Sequence, residues 1–340
     1  MTERKRALIT AEFDPAAVTQ LEQIGYDVVQ TGWGQTHHAL SAEELATLVP
    51  GISLLIVEVE PVSAEVIAAS PELEAIATCR AGPVNVDLVA ATARSIPVIT
   101  TPARNADSVA DFAVGLMLAL CRNISRGERH LRQNGWMVQG NELPYFHFRG
   151  PEIAGKTLGL IGCGAIGRAL ARRVQGFDMR VLVNDPYLDP ATLGELGLLV
   201  SLETALTEAD FVSLHVPVTA ETRGLLSAER LALLKPTTYL INTARAAVID
   251  EEALFDALVA GRLAGAALDV FWDEPAIDPR WFSLENVLLT PHLGGAADGV
   301  RIHQSAMIVE DLRTLQAGGR PARLANPEVL SGEKVRSPAG

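Results

Sequence analysis

The sequence predicts an α/β protein with two domains, each a doubly wound parallel sheet covered by helices. Short apolar runs alternate with helical patterns over most of the 340 residues, as is typical of parallel sheets. A glycine cluster joins an apolar run to a helix at 158–171. A long helical segment at 106–133 separates two alternating regions, and the chain is long enough for each region to have its own core.

The first alternating region, residues 1–103, contains neither a glycine fingerprint nor a nucleotide-binding acidic residue, so we expect it to bind the substrate. A last helix, near 298–315, has no strand after it. We expect it to return to this domain over 298–328, which makes the domain discontinuous, and we expect 329–340 to be a disordered tail. The predicted strands are 7–10, 26–29, 53–57, 75–79 and 97–100, and the predicted helices are 15–24, 41–48, 63–69 and 84–95.

An aromatic stretch follows the helical segments 106–121 and 124–133. It lacks a clear period up to residue 150. Such an arm, near 125–150, would either pack on a neighbouring subunit or cover its own domain, and the sequence leaves both open.

The second alternating region, within 104–297, predicts the dinucleotide-binding domain. Asp250 is placed to cap the helix near 251–261, and Gly261 to end it in a left-handed conformation. The predicted strands are 158–161, 181–183, 199–200, 211–215, 238–242, 266–270 and 287–289, and the other predicted helices are 166–176, 202–208 and 228–233.

The glycine cluster has the spacing of a dinucleotide fingerprint. Gly162 allows a tight turn, Gly164 lets a pyrophosphate approach the backbone, and Gly167 lets the helix pack on the strand. Asp185 lies 18 positions after Gly167, where a carboxylate accepts from the adenosine ribose and repels a 2′-phosphate. This pattern favours NAD over NADP; the alternative is an ordinary strand–turn–helix with a solvated Asp.

The amino-acid composition limits the kinds of partner that the chain is expected to bind. A formal charge of −13 argues against nucleic acid or an anionic membrane, whereas a small anionic substrate can still meet local arginines. The chain shows no secretory signal and no run of about 20 apolar residues. Cys79, Cys121 and Cys163 are isolated, so neither a metal site nor a disulfide framework is indicated, and a reduced cytoplasmic location fits.

Three segments, each directly after a predicted strand, supply an arginine, a carboxylate and a histidine: Arg245, Glu274 and His292. Arginine can clamp a substrate carboxylate. Histidine can exchange a proton with a carbonyl oxygen, and a carboxylate behind it fixes the tautomer and favours the protonated form. Taken singly, Arg245 could form a structural ion pair, Glu274 could be a solvated loop residue, and His292 could cap a helix. Taken together, the three residues predict the reduction of a 2-keto acid. His215 follows another strand among apolar neighbours and is expected to line the cofactor pocket.

The same residues carry a family resemblance. Together they resemble the D-isomer-specific 2-hydroxyacid dehydrogenases. Within that family, the subgroup they resemble most is the phosphoglycerate dehydrogenases and their relatives. The resemblance implies two Rossmann-like domains, NAD, an Arg/Glu/His triad and a homodimer built on the nucleotide domains. The motifs, in order, are 162–167, 185–187, 215–217, 242–245, 269–275 and 291–294.

The resemblance also implies the remaining contacts. Arg80, Ala81 and Gly82 would hold the substrate with Arg245 and His292. Ala246 and Asp111 depart from the family pattern, as does a short loop at 80–87. NAD would be held by Gly162, Gly164, Ala165, Ile166, Gly167, Asp185, His215, Val216, Pro217, Thr243, Asp269, Gly294 and Val109.

The candidate substrates are glyoxylate, hydroxypyruvate, 3-phosphoglycerate and sugar acids, and Arg80 would either meet a phosphate or serve in packing. Formate dehydrogenase shares the architecture but pairs its histidine with glutamine, so Glu274 argues against it. A NAD-sensing binding protein or corepressor on the same fold is the alternative function.

Overall fold

The computed structural model describes residues 4–138 and 143–330. The chain divides into two compact units, one comprising Met1–Arg104 and Ala297–Gly340, the other Asn105–Ala296. Each unit contains one sheet, and the strand pairs are parallel in both. The predicted α/β class with two doubly wound sheets is confirmed.

The first unit has a five-stranded sheet in the order β2-β1-β3-β4-β5. Its central strand β3 is buried along its whole length, because Leu54 and Ile56 face one apolar cluster while Leu55 and Val57 face another. Burial on both faces explains the continuous apolar run. The elements are β1 (Lys5–Ile9), α1 (Pro15–Gln23), β2 (Tyr26–Gln30), α2 (Trp33–Thr36), α3 (Ala42–Leu48), β3 (Leu54–Val57), α4 (Ala64–Ala69), β4 (Ala75–Thr78), α5 (Leu88–Ala93), β5 (Val98–Ile99) and α13 (Asp298–Gln316).

Helix α13 packs in this first unit. Ile308, Val309 and Leu312 of α13 are buried in the same cluster as Ala7 and Ile9 of β1. The last helix therefore covers one face of the five-stranded sheet.

The second unit has a seven-stranded sheet in the order β12-β11-β10-β9-β6-β7-β8. Helix α6 covers one face of it, with Ala113 and Met117 in one cluster with Leu158 and Leu160 of β6. The elements are α6 (Ala106–Cys121), α7 (Ile124–Asn134), α8 (Pro144–His147), β6 (Thr157–Ile161), α9 (Ala165–Gln175), β7 (Arg180–Asn184), β8 (Leu198–Leu199), α10 (Leu202–Glu208), β9 (Phe211–Leu214), α11 (Ala228–Leu231), β10 (Tyr239–Asn242), α12 (Glu251–Val259), β11 (Gly265–Leu268) and β12 (Val287–Leu289).

Local differences from the predicted elements have local causes. The predicted helix 84–95 is shorter, because the Asp87 carboxylate caps α5 by accepting from the Ala90 N–H at 2.9 Å. The short helices α2 and α8 were not predicted, since four residues show no periodicity. Asp250 caps α12 and Gly261 has φ +64°, as predicted.

Parts of two predicted segments lie outside the described residues. Residues 139–142 of the predicted arm and 331–340 of the predicted tail are among them, whereas 329–330 close a 3-10 turn, Pro327–Leu330. No single helix in the described part of the chain is both long and apolar enough to cross a membrane. Helices α6 and α7 meet that test only when taken together, and a 57° bend separates them.

Candidate active site

The turn between β6 and α9 has the backbone geometry that the glycine spacing predicts. Gly162 has φ +90°, and a Cβ there would lie 2.6 Å from the His215 carbonyl oxygen. A Cβ on Gly167 would lie 2.3 Å from the Gly162 carbonyl oxygen, so α9 packs directly on the turn. A Cβ on Gly164 would meet no atom within 4 Å. The turn thus needs glycine for packing at two positions and leaves open space at the third.

The N-terminus of α9 is suited to bind an anion. Its N-cap residue, Gly164, provides no side chain to accept from the first amides. The N–H groups of Ala165, Ile166 and Gly167, in the first turn, have no partner within the helix. Together with the helix dipole they form an anion-binding position of the kind that holds a pyrophosphate.

A cavity of about 620 Å³ lies beside this turn, a size within the range of small-molecule sites. Asp185 lines it just after β7. The Asp185 carboxylate accepts from the Cys163 N–H at 2.8 Å and from the Tyr187 N–H at 3.1 Å, which fixes its position. The cavity is lined by Ile161, Gly162, Gly164, Asn184, Asp185, Pro186, Tyr187, His215, Val216, Pro217, Thr219, Ala220, Glu221, Thr222 and Leu225.

His215 and Thr243 follow the ends of the paired strands β9 and β10. Burial lowers the pKa of His215 to about 4, so its ring is neutral near pH 7. Nε2 of His215 lies 2.9 Å from Ser213 Oγ. His215 Nδ1 and Thr243 Oγ1 are buried and have no hydrogen-bond partner among the described residues. Because buried polar atoms are normally paired, these two indicate a polar ligand, and the turn, the cavity and the orphaned atoms together fit a dinucleotide.

Arg245 lies in the loop after β10. The buried Asn242, the last residue of β10, donates through Nδ2 to the Arg245 carbonyl at 3.1 Å and accepts from the Ala244 N–H at 3.0 Å. The Arg245 side chain is exposed, and its Nη1 donates to the Ala244 carbonyl at 2.6 Å. Asn242 therefore shapes the loop that presents the guanidinium.

The structure brings Glu274 and His292 into contact. Nδ1 of His292 lies 2.8 Å from Oε2 of Glu274, and Oε1 of Glu274 accepts from the Phe271 N–H at 2.8 Å. Burial opposes ionisation, but the hydrogen bonds from His292 and Phe271, with the charges of His292 and Arg245, lower the pKa of Glu274. The imidazole is half exposed. One carboxylate thus fixes the ring through Nδ1 and leaves Nε2 to face solvent or substrate.

Asp269 lies beneath the turn that carries His292. The Asp269 carboxylate is 1% exposed and accepts from Thr290 Oγ1 at 2.7 Å, the Leu293 N–H at 2.7 Å and the Gly294 N–H at 2.8 Å. These contacts make Asp269 a support of the turn, and its predicted contact with NAD stays a prediction. Val109 is buried in α6, near the position that a Cβ on Gly294 would take.

The predicted substrate loop lies in the first unit, after β4. Arg80 donates through Nε to the Glu58 carbonyl at 2.6 Å, and the Arg80 carbonyl accepts from the Thr101 N–H at 2.7 Å. Ala81 is exposed and Gly82 half-buried. The Arg80 side chain is therefore tied to its own unit through Nε, and its predicted contact with the substrate stays a prediction.

Sequence reasoning did not assign roles to several residues that build the site. Asn242 is the last residue of β10 and Thr290 directly follows β12, and a position at the carboxyl end of a parallel strand is the available signal for a ligand-side residue. The contact between Tyr187 and Glu221 spans 34 residues and leaves no local signal.

Comparison with known proteins gives consistent matches. Residues 114–294 match the family model described as D-isomer specific 2-hydroxyacid dehydrogenase, NAD binding domain. The glyoxylate reductase of Thermococcus onnurineus (strain NA1) is 38% identical over 306 residues, 89% of this chain and 91% of that protein. The D-3-phosphoglycerate dehydrogenase of Mycobacterium bovis is 40% identical over 275 residues, 81% of this chain but 51% of that protein.

A solved structure extends the match to the fold. The NADPH-dependent glyoxylate/hydroxypyruvate reductase from Sinorhizobium meliloti, in complex with NADP and malonate, superposes with a TM-score of 0.70 at 30% identity. The alignment covers 95% of this chain and 97% of that structure.

Proposed function

The chain belongs to the D-isomer specific 2-hydroxyacid dehydrogenase family, and from this we propose that it reduces small 2-keto acids such as glyoxylate and hydroxypyruvate with NADH. The family assignment makes it an NAD-dependent D-2-hydroxyacid dehydrogenase that carries the family's NAD-binding domain. The contact between His292 and Glu274 carries the assignment of the catalytic groups.

His292 is the proposed general acid and base. Bound NADH supplies the hydride to the carbonyl carbon. His292 donates a proton from Nε2 to the carbonyl oxygen, and in the reverse direction it accepts one. Glu274 holds Nδ1, which fixes the tautomer and the ring orientation for this transfer. His215, neutral near pH 7 and bonded to Ser213, is a weaker candidate for the acid.

Arg245 is the proposed substrate clamp. A guanidinium can bind a carboxylate through two parallel hydrogen bonds and can polarise an adjacent carbonyl. The side chain is exposed, and its positive charge contributes to lowering the pKa of Glu274, so the two groups lie close enough to interact. Asn242 holds the loop in place for this role.

Two observations favour small, unphosphorylated acids. Nε of Arg80 is already engaged by the Glu58 carbonyl, which reduces the hydrogen-bonding capacity of Arg80 toward a phosphate. Two of the similar proteins named above are reductases of glyoxylate or hydroxypyruvate. Glyoxylate and hydroxypyruvate are therefore preferred to 3-phosphoglycerate and sugar acids.

Asp185 is the proposed determinant for NAD. A carboxylate at the end of β7 accepts from ribose hydroxyls and repels a 2′-phosphate. Two of the residues lining the cavity are acidic, Asp185 and Glu221, and none of the described lining residues is Lys or Arg. NADH is therefore preferred, in contrast to the NADPH-dependent relative from Sinorhizobium meliloti.

The exposed aromatic side chains of the arm near 125–150 support the proposal of a homodimer. Its described side chains include Trp136, Tyr145 and Phe146, which are 69%, 73% and 56% exposed in the single chain. Aromatic side chains with this exposure are typical of an interface. The cysteines Cys79, Cys121 and Cys163 are buried and unpaired, which suits a reduced, cytoplasmic location.

The test is NADH oxidation with glyoxylate, hydroxypyruvate, phosphohydroxypyruvate and a sugar-derived 2-keto acid, repeated with NADPH. We expect the largest kcat/KM for glyoxylate or hydroxypyruvate with NADH. A larger kcat/KM for the phosphorylated acid would overturn the substrate assignment. A preference for NADPH would overturn the role of Asp185, and NADH binding without turnover would favour the NAD-sensing alternative.

A further inference from the structure

A hydrogen bond joins two loops beside the dinucleotide cavity. The Tyr187 hydroxyl donates to the Glu221 carboxylate. Tyr187 follows β7 and Glu221 follows β9, and these strands lie on either side of β6 in the sheet. The contact therefore connects the loops that flank the glycine turn, at the edge of the sheet where the cavity lies.

Both sides of this contact are held by their own loops. The Tyr187 N–H donates to the Asp185 carboxylate at 3.1 Å. The Glu221 N–H donates to Thr219 Oγ1 at 3.3 Å, and Thr222 Oγ1 donates to the Pro217 carbonyl at 2.5 Å. Because the backbones are fixed, the joining hydrogen bond requires only side-chain rotation to open. The Tyr187 hydroxyl stays a donor at neutral pH. Its pKa is raised by the hydrogen bond to Glu221 and by the charge of Glu221.

The cavity has a volume of about 620 Å³ in the structure, in which this hydrogen bond is formed. A ligand of adenosine size can therefore lie beside the closed contact without breaking it. Tyr187 is 79% exposed and adds a large aromatic side chain to the cavity wall. An aromatic ring held by a hydrogen bond at its tip loses little further conformational freedom when a ligand packs against it.

We propose that the Tyr187–Glu221 hydrogen bond is a latch that retains the adenosine half of bound NAD and slows its release. The latch rests on the proposed use of NAD and adds a step that the hydride-transfer site does not address. In this proposal, two exposed residues of the second unit, Tyr187 and Glu221, set how long NAD stays bound. Breaking the latch increases the dissociation rate constant of NADH.

The experiment is stopped-flow displacement of NADH, followed by its fluorescence, for wild type, Tyr187→Phe, Glu221→Ala and the double variant. We expect each single variant to raise the dissociation rate constant about three- to tenfold, the size of one net hydrogen bond. The double variant should raise it no further, because both changes remove one interaction. Glu221→Gln keeps an acceptor oxygen and should stay close to wild type.

Glu208→Ala is the matched control. Glu208 is an exposed glutamate of the same unit, it pairs with Arg180, and it does not line the cavity. Its removal should leave NADH release unchanged. Equal release from wild type and Tyr187→Phe, or multiplicative effects in the double variant, would overturn the latch alone. A wild-type protein that binds no NADH would overturn the proposed function and the latch with it.

Discussion

Each unit of the molecule holds a buried carboxylate shortly after the end of a strand of its sheet, β3 in the first unit and β11 in the second. In the first unit Glu60, 0% exposed, accepts from Thr10 Oγ1 at 2.8 Å and from the Trp33 N–H at 3.1 Å. In the second unit Asp269, 1% exposed, accepts from Thr290 Oγ1 and from two backbone amides. Both obey the rule that a buried polar group must be hydrogen-bonded.

The segments that the two carboxylates hold differ. Glu60 fixes the start of α2, whereas Asp269 fixes the turn of His292, whose φ of +56° is rarely adopted by residues with a side chain. His37, at the end of α2, shares that φ value but lies in a solvent-exposed cap. A buried carboxylate surrounded by donors therefore fixes a helix start in one unit, and in the other it holds the turn of the proposed proton donor, His292.

The largest expected effect separates the two histidines. His292→Ala should lower kcat/KM by about 10²- to 10⁴-fold, because it removes the proposed proton donor. His37→Ala is the matched control, since it replaces a histidine of equal φ, and it should leave kcat/KM unchanged. Steady-state kinetics with glyoxylate, together with NADH titration, measure both. Turnover retained by His292→Ala would contradict the role of His292 as proton donor.

The second largest effect is expected on replacing the two buried carboxylates, Asp269 and Glu60. Asp269→Asn should lower kcat/KM by about 10- to 100-fold, because a small displacement of the turn that Asp269 holds would misplace His292, the proposed proton donor. Glu60→Gln should leave kcat/KM of the folded protein near wild type while lowering the free energy of unfolding by about 1–3 kcal/mol. Kinetics and urea denaturation distinguish the two, and a catalytic defect in Glu60→Gln would contradict the division of roles.

Two glycines, Gly34 of the first unit and Gly164 of the second, should also differ in what their replacement changes. A Cβ on Gly34 of α2 would lie 2.0 Å from the Ala11 carbonyl oxygen, so Gly34→Ala should lower the free energy of unfolding by about 1–3 kcal/mol. Gly164→Ala meets open space and should fold normally. It should nevertheless weaken NADH binding about tenfold, because its methyl group stands where the pyrophosphate approaches. Unchanged NADH affinity in Gly164→Ala would place the phosphates elsewhere.

The smallest expected effect is a pH dependence of stability in the second unit. The pKa of His215 is about 4 in the folded protein against an ordinary 6.5, so between these values the unfolded chain binds the extra proton. The free energy of unfolding therefore falls as pH drops through this window. His215→Gln removes this titration and should reduce that fall by about 1 kcal/mol. This figure is smaller than the full pKa shift would give, because the His215 side chain is partly exposed. Urea unfolding at several pH values measures it, and identical pH profiles would contradict the burial of His215.

Much of the site could be predicted because its signals are local or repeat in order along the chain. The glycine turn and Asp185 lie within one strand–helix–strand segment, and Arg245, Glu274 and His292 each follow a strand. The helix 84–95 was placed too early because the capping role of Asp87 outweighs the apolar pattern before it. The supporting roles of Asn242 and Asp269 were not predicted, and Asp269 was expected to contact NAD, since nothing local distinguishes a supporting polar residue from a ligand-binding one.

The sequence by itself determined the two parallel sheets, the dinucleotide turn and the three catalytic candidates, because strand burial and glycine spacing act over short segments. Tertiary structure decided which groups meet. Strand order brings Glu274 against His292 across 18 residues, and Tyr187 against Glu221 across 34. Parallel pairing aligns the carboxyl ends of strands that are distant in the chain, so these contacts depend on the order of the sheet.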